Sequence, residues 1–395
     1  MNSALRAVSS LAVLALGVGC QTYDFEPVTP LAIAQTTQTK TVTAKQLKPN
    51  LMMLIDKSGS MNDGENSMQP VSGTNPRKMD TLKSVMGTFL SSQGRVARMG
   101  MTIYPKGTQC DASGANEVMN AIAVPSDSDA DLQAQASAIN TNVQGLVPGG
   151  GTPTALSLQF VGSLPELNDP QREDFVLLLT DGLPNCNPNN QNNCMAGNCQ
   201  CTVNPISACS IGPPVGPYCT LGCLDTDGSV QAIRDLRMKG IRTIVVGFGS
   251  DVAGTTGMFN ASDILNAMAI AGGFQRTCPM GMDSECGTGN TCLPGQNVCA
   301  KAFYQASNGT QLAAALAQIS DNLAGDSLCR YTLEATPSSN DLVSVIIDGT
   351  PQPSGPDTWT LMAGSIVMQG ALCQKLMMSS TTNPVQVEIR IVQSL

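Results

Sequence analysis

The chain has 395 residues, 13% of them charged, a net charge of −9 and no histidine. That balance disfavours a nucleic-acid partner, and the missing histidine removes the commonest general base and transition-metal ligand, so a Ser-His-Asp or Cys-His site within the chain is excluded. Fifteen cysteines point to an oxidising compartment, and the length suits one large domain with a smaller one beside it.

At the start, Arg6 and the amino terminus form a short positive region, Ala7 to Val18 is almost wholly apolar, and LGVGC closes the segment with small residues. The run is shorter than the about 20 residues that span a bilayer, so residues 1–19 read as a signal peptide. The segment resembles a bacterial lipoprotein signal, which implies lipidation of Cys20. Gly17 departs from that pattern, where leucine or another larger residue is usual. Setting Cys20 aside leaves an even number of cysteines; the alternative is a plain secretory signal with one free thiol. Residues 20–48, rich in Thr, Gln, Pro and Ala without a period, read as a flexible tether.

Residues 49–324 follow as an α/β domain. NLMMLID is an apolar strand ending at Asp56. Asn75-Pro76 opens a helix in which Met79, Leu82, Met86, Phe89 and Leu90 recur at helical spacing. RVARMGMTIYP and NEVMNAIAV read as the next strands, and Asp129 to Leu146 as a helix. PGGGTPTALSLQFVGSL is a glycine-rich loop opening a helix, and DFVLLLTDG is a second apolar strand ending on an aspartate, Asp181. TDGSVQAIRDLRMKG is a capped helix stopped by Gly240. The strand IRTIVVGFG, the helix SDILNAMAIAGG, the strand KAFYQA and the helix TQLAAALAQISDNL complete the domain. Strands alternating with helices, and apolar on both faces, predict a doubly wound, mostly parallel sheet covered on both sides.

Two cysteine-rich inserts interrupt this order and need covalent staples to be ordered. The first, 186–223, carries Cys186, Cys194, Cys199, Cys201, Cys209, Cys219 and Cys223. Their number is odd, and Cys110 is the natural eighth. The second, 278–299, carries Cys278, Cys286, Cys292 and Cys299. Disulfides are the expectation for both, with zinc as the alternative; the CQC spacing at Cys199 and Cys201 does not match the usual zinc motif. Residues 325–395 read as a small β domain, with strands LVSVIIDGT and VQVEIRIV, and with Cys329 and Cys373 expected to pair. DTDGS at Asp225 places its glycine too early for an EF-hand and reads as a helix cap. Asn308-Gly309-Thr310 matches a glycosylation acceptor, of little meaning in a bacterial host.

The chemistry gathers where open parallel sheets bind ligands, beyond the carboxyl ends of the strands. Asp56 and Asp181 end two strands, Ser58 and Ser60 follow Asp56 at alternate positions, and Thr152 opens a helix after a glycine-rich loop. Two carboxylates and three hydroxyls suit a hard divalent cation such as Mg²⁺, which takes six oxygens at about 2.1 Å. One coordination position is then left for an outside ligand, and no residue near the cluster is evident to activate a water. Alone, the D-x-S-x-S stretch could be a turn with capping hydroxyls, and Thr152 could cap its helix.

D-x-S-x-S after a first strand, GGGTPT opening a middle helix and LLTDG ending a later strand together resemble a von Willebrand factor type A domain and its metal-ion-dependent adhesion site. The likeness covers roughly residues 50–323, with the cysteine inserts as departures. It implies that Asp56, Ser58, Ser60, Thr152 and Asp181 hold Mg²⁺, with Mn²⁺ or Ca²⁺ as substitutes; Thr152 is chosen over Thr154 because the ligand of that family is the first threonine of the pair. It also implies a binding protein, not an enzyme, that grips an acidic group of a protein partner. With the signal, the inserts and the β tail, the chain resembles bacterial surface lipoproteins carrying this domain. That implies a lipid-anchored place in the cell envelope, at the outer membrane of a Gram-negative bacterium or facing the extracellular surface. A structural envelope protein in which the metal only stabilises the fold, and a phosphoester-cleaving enzyme using the same cation, are the rival readings. The absence of histidine and of further carboxylates beside the two metal-bearing strands argues against the enzyme.

Overall fold

The computed structural model describes residues 37–42 and 47–394, apart from short gaps at 108–109, 204–205, 212–215, 217, 254, 257–258, 275, 279, 288, 297, 334–336, 338, 363–364 and 378–384. The signal segment and Cys20 lie outside the described residues.

In chain order the larger body is built from β2 (Asn50–Asp56), α1 (Lys78–Gln93), β3 (Arg98–Tyr104), β4 (Val118–Asn120), α2 (Asp129–Gln144), α3 (Thr154–Val161), β5 (Asp174–Thr180), α4 (Thr226–Met238), β6 (Ile241–Phe248), α5 (Ala261–Gly272), β7 (Tyr304–Ala306) and α6 (Gly309–Leu328); β1 (Thr37–Val42) precedes it. The sheet order is β7-β6-β5-β2-β3-β4. All pairs are parallel except β3 with β4 at the edge. Only Val118–Asn120 of the stretch NEVMNAIAV is strand.

Alternation along the central strands divides the core, because successive side chains point to opposite faces. Leu51, Met53 and Ile55 of β2, with Phe175, Leu177 and Leu179 of β5, pack on the face covered by α1, α2 and α6. Met52, Leu54, Val176 and Leu178 pack on the face covered by α3, α4 and α5. A sheet buried on both faces needs strands without a polar side, which explains the uninterrupted apolar runs of β2 and β5. From β2 the chain first builds outward through β3 and β4, then returns to lay β5, β6 and β7 on the other side. The strand order therefore reverses between β2 and β5, the switch point where such sheets open a crevice.

A second core lies in the C-terminal part. It is formed by β8 (Arg330–Thr332), β9 (Val343–Ile347), β10 (Thr350–Gln352), β11 (Trp359–Met362), β12 (Ser365–Met368), the short helix α7 (Gly370–Met377) and β13 (Val387–Ser394). Its sheets run β1-β13-β9-β10 and β8-β12-β11. Trp359, 1% exposed, is buried between them with Val345, Ile347, Ile366 and Ile389, and its indole N–H donates to the Gln352 carbonyl at 2.8 Å. Cys329–Cys373 ties the end of α6 to α7.

The segment read as a flexible tether, 20–48, is held in two places. Thr37–Val42 is a strand paired antiparallel with Ile389–Ser394, so the small β unit takes one strand from before the α/β domain and the rest from after it. At Lys48, the backbone N–H donates to Asp127 at 3.0 Å and the carbonyl accepts from Arg172 at 2.7 Å. Thr-rich TQTKTV has strand propensity, but its partner lies some 350 positions away, so no local pattern announces the pairing.

Candidate metal centre

Asp56 ends β2 and is fully buried. One carboxylate oxygen accepts from the Ser58 backbone N–H at 2.8 Å, the other from the Thr180 hydroxyl at 2.7 Å. The first bond turns the chain back over the strand end, so that Ser58 and Ser60 come to the same side. Their hydroxyls are 3.0 Å apart, and Ser60 Oγ donates to Asp181 Oδ1 at 2.9 Å. Ser58, Ser60 and Asp181 are thus joined through their side-chain oxygens, and Asp56 is tied to them through the Ser58 backbone N–H.

Thr152 is brought in by the glycine-rich loop. Gly59 N–H donates to the Gly150 carbonyl at 2.9 Å and Gly149 N–H to the Lys57 carbonyl at 2.7 Å, stitching the loop to the D-x-S-x-S turn. Gly150 has φ +90, a conformation glycine adopts without strain. At Gly151 a Cβ would collide with the sulfur of Cys186, which is bonded to Cys110. Thr152 N–H donates to the Asn185 side-chain oxygen at 2.7 Å, and its carbonyl accepts the Asn185 N–H at 2.9 Å. The Thr152 hydroxyl does not cap α3: the cap position is Pro153 and carries no side-chain capping bond. A Cβ built at Gly182 would stand 3.4 Å from Ser60 Oγ and 3.6 Å from Thr152 Oγ1, so both hydroxyls face the residue after Asp181.

Three features escaped the sequence reading. Lys78 is buried and donates from Nζ to Asp181 Oδ2 at 3.0 Å; it stands four and eight residues before the apolar Leu82 and Met86, and a lysine on a buried helical stripe was a readable signal. Thr180, the residue before Asp181, orients Asp56. Asp63, expected by nothing in the pattern, lines the same cavity, so the expectation of no further carboxylate beside the metal-bearing strands is corrected. Asp63 is exposed at the rim.

Burial and the neighbouring Asp181 charge push the Asp56 carboxyl up to about 7. Burial also raises Asp181, against the pull of Lys78. Beneath the site, the Tyr104 hydroxyl is buried, and burial with the charges of Asp56 and Asp181 raises its pKa well above the ordinary value. Two buried carboxylates with a single ammonium between them leave negative charge that an added cation would satisfy. Oxygen is the only donor type, as a hard divalent cation requires. The residues present therefore fit such an ion.

The cysteines are paired as Cys110–Cys186, Cys194–Cys219, Cys199–Cys223, Cys201–Cys209, Cys278–Cys292, Cys286–Cys299 and Cys329–Cys373. No thiolate is left in these clusters for zinc. The first insert reaches the site: Thr202 and Val203 line a cavity of about 280 Å³ with Ser58, Asp181 and Asn185, the residue before the insert. Asp225 stands at the cap position of α4 and accepts from Asn187 at 2.9 Å, so it anchors the insert to the helix.

No protein-family description and no curated protein matches the chain. Solved structures do. The pilus adhesin SpaC from Lactobacillus rhamnosus GG is 13% identical over 90% of this chain and 41% of its own, with a TM-score of 0.44. The PilB minor pilin from Streptococcus sanguinis is 16% identical over 71% of this chain and 62% of its own, with a TM-score of 0.41. The von Willebrand factor domain of the type V pili tip protein Mfa5 from Porphyromonas gingivalis is 12% identical over 72% of this chain and 96% of its own, with a TM-score of 0.37. The chain spans less than two thirds of the length of the first two.

Proposed function

We propose that this chain is a binding protein of the cell envelope that holds a divalent cation at Asp56, Ser58, Ser60, Thr152 and Asp181 and uses it to grip an acidic group of a protein partner. The observation that carries this reading is the convergence of these five side chains, from three separate segments, at the sheet's switch point. Mg²⁺ is the cation the donor set suits best, with Mn²⁺ or Ca²⁺ as substitutes. Bound there, the ion would offer a coordination position to an outside carboxylate. The chain's own residues do the rest: Thr180 and the Ser58 amide orient Asp56, the Lys57–Gly149 and Gly59–Gly150 bonds fix the loop carrying Thr152, and Thr202 and Val203 of the insert shape the approach.

The rest of the molecule suits this role. Glu173, at the start of β5, pairs with Arg330 of the C-terminal part at 2.6 Å, while Asp181 follows the far end of the same strand. The small β unit and β1 thus lie at the end of the sheet away from the site. The reading is non-catalytic: the only further carboxylate lining the cavity among the described residues is Asp63, at its exposed rim.

The test is binding of the full oxidised chain to intact cells or envelope extracts with Mg²⁺ or with a chelator. Retention that needs Mg²⁺ and is lost in a folded Asp56→Ala variant supports the reading. Metal-independent retention, with the metal affecting only thermal stability, would favour a purely structural ion. Phosphoesterase activity that dies in Asp56→Ala would favour an enzyme.

A further inference from the structure

The cavity of the metal centre has an apolar side. Leu183, Val203, Val252 and Ala261 line it together with the predicted ligands. Val252 belongs to the core under α3, α4 and α5, so its place follows from the fold. Leu183 and Val203 differ: both are half-buried, and among the described residues neither packs into one of the hydrophobic cores. Leu183 stands two residues after Asp181, and Val203 directly follows Thr202 of the first insert. Asn185, 6% exposed, ties the two segments together. Its side-chain amide donates to the Thr202 hydroxyl at 2.9 Å, which donates on to the Gly222 carbonyl at 2.9 Å. Its side-chain oxygen accepts from the Thr152 N–H at 2.7 Å. Cys201, just before Thr202, is bridged to Cys209. The apolar wall is therefore built in advance and fixed to the loop that carries a predicted ligand.

We propose that this wall makes the site selective for a carboxylate carried on an aliphatic stem: the cation takes the carboxylate, and Leu183 and Val203 take the methylene groups behind it. This rests on the metal reading above and deepens it by naming the chemistry of the acidic group that enters. Ligands and wall line one cavity of about 280 Å³, and a cavity of about 150 Å³ already admits a benzene-sized molecule. A carboxylate on the ion thus brings its next carbons inside with it. Each methylene fully removed from water strengthens binding about fourfold, whereas a polar stem loses hydration and finds no partner on two aliphatic side chains. A wall already in place spends none of that gain on ordering itself. The charged lining residues Asp63, Lys78 and Asp181 set how strongly any carboxylate is held. They act alike on carboxylates of equal charge, so discrimination among those belongs to the wall.

The experiment is a calorimetric Mn²⁺ titration of the full oxidised chain alone and with equal concentrations of acetate, propionate or butyrate, which share one charge and differ only in stem. A carboxylate that binds the loaded site tightens Mn²⁺ by the same factor as Mn²⁺ tightens it. The expected order is butyrate above propionate above acetate, with about fourfold in carboxylate affinity for each added methylene that is fully buried. The same series on Val203→Ser and Leu183→Ala, each shown folded by circular dichroism, should give a flattened order. It is read as a ratio within each protein, so a change in Mn²⁺ affinity itself does not enter. The wild-type series stands without either variant should one fail to fold. Three carboxylates of equal effect, acetate as the strongest, no response to any of them, or an order that survives in both folded variants overturns the selective wall and leaves the metal reading intact. A wild type that binds no Mn²⁺ in any condition overturns the metal reading, and the wall with it.

Discussion

Asp56 gives both of its oxygens to its own chain, one to the Ser58 amide and one to the Thr180 hydroxyl, yet its carboxyl is pushed up to about 7 because burial and Asp181 outweigh those bonds. A carboxyl raised on folding stabilises the metal-free protein most below its unfolded pKa, and that contribution is lost as pH rises through the folded value. Asp174 and Asp225, both raised to about 6 by burial, act in the same direction. In a chelator the protein should therefore melt at a lower temperature at pH 8 than at pH 5, and Asp56→Asn should flatten that dependence. An unchanged slope in a folded Asp56→Asn would show that Asp56 is not the group responsible. The ligand residues were legible because each follows an apolar strand or a glycine-rich loop. Lys78 carried a readable signal in its place on the apolar stripe of α1, although a helical lysine is usually a solvated face; Asp63 carried none, since an aspartate after a turn is usually a rim charge.

At the scale of elements, β2 and β5 were readable from their apolar runs because a doubly covered sheet leaves no other composition available. The loop that delivers Thr152 was readable as a helix opening but not as a part of the disulfide framework. Cys110–Cys186 closes over Gly151 and holds the start of the insert against the loop. Replacing both cysteines by serine should lower stability by about 2–5 kcal/mol in denaturant titrations and weaken metal binding through Thr152. Full metal affinity in that double variant would show that the bridge does not position the loop. By contrast, Cys278–Cys292 and Cys286–Cys299 enclose a separate small core, and their loss should leave metal affinity unchanged. The helix α7 was missed because its single apolar face, Leu372 and Leu376, spans too few residues to establish a period.

Over the whole molecule, the α/β domain is an insertion between β1 and the rest of the small β unit. That architecture was hidden because strand pairing between distant segments leaves no trace in local pattern. The α/β alternation itself was plain. Two consequences follow from the separation of the small β unit and the site at opposite ends of the sheet. Trp359→Ala should destabilise the small β unit by about 3–5 kcal/mol, seen as loss of its transition in thermal unfolding, while the metal centre is retained; concurrent loss of metal binding would contradict their independence. The measurement that tests the central claim most directly is calorimetric titration of Mg²⁺ and Mn²⁺ into the full oxidised chain beside Asp56→Ala and Asp181→Ala, each shown folded by circular dichroism. The account predicts saturable one-site binding in the wild type, abolished by either substitution. Binding that persists in both folded variants, or a folded wild type that binds neither ion with or without an added carboxylate, would contradict it.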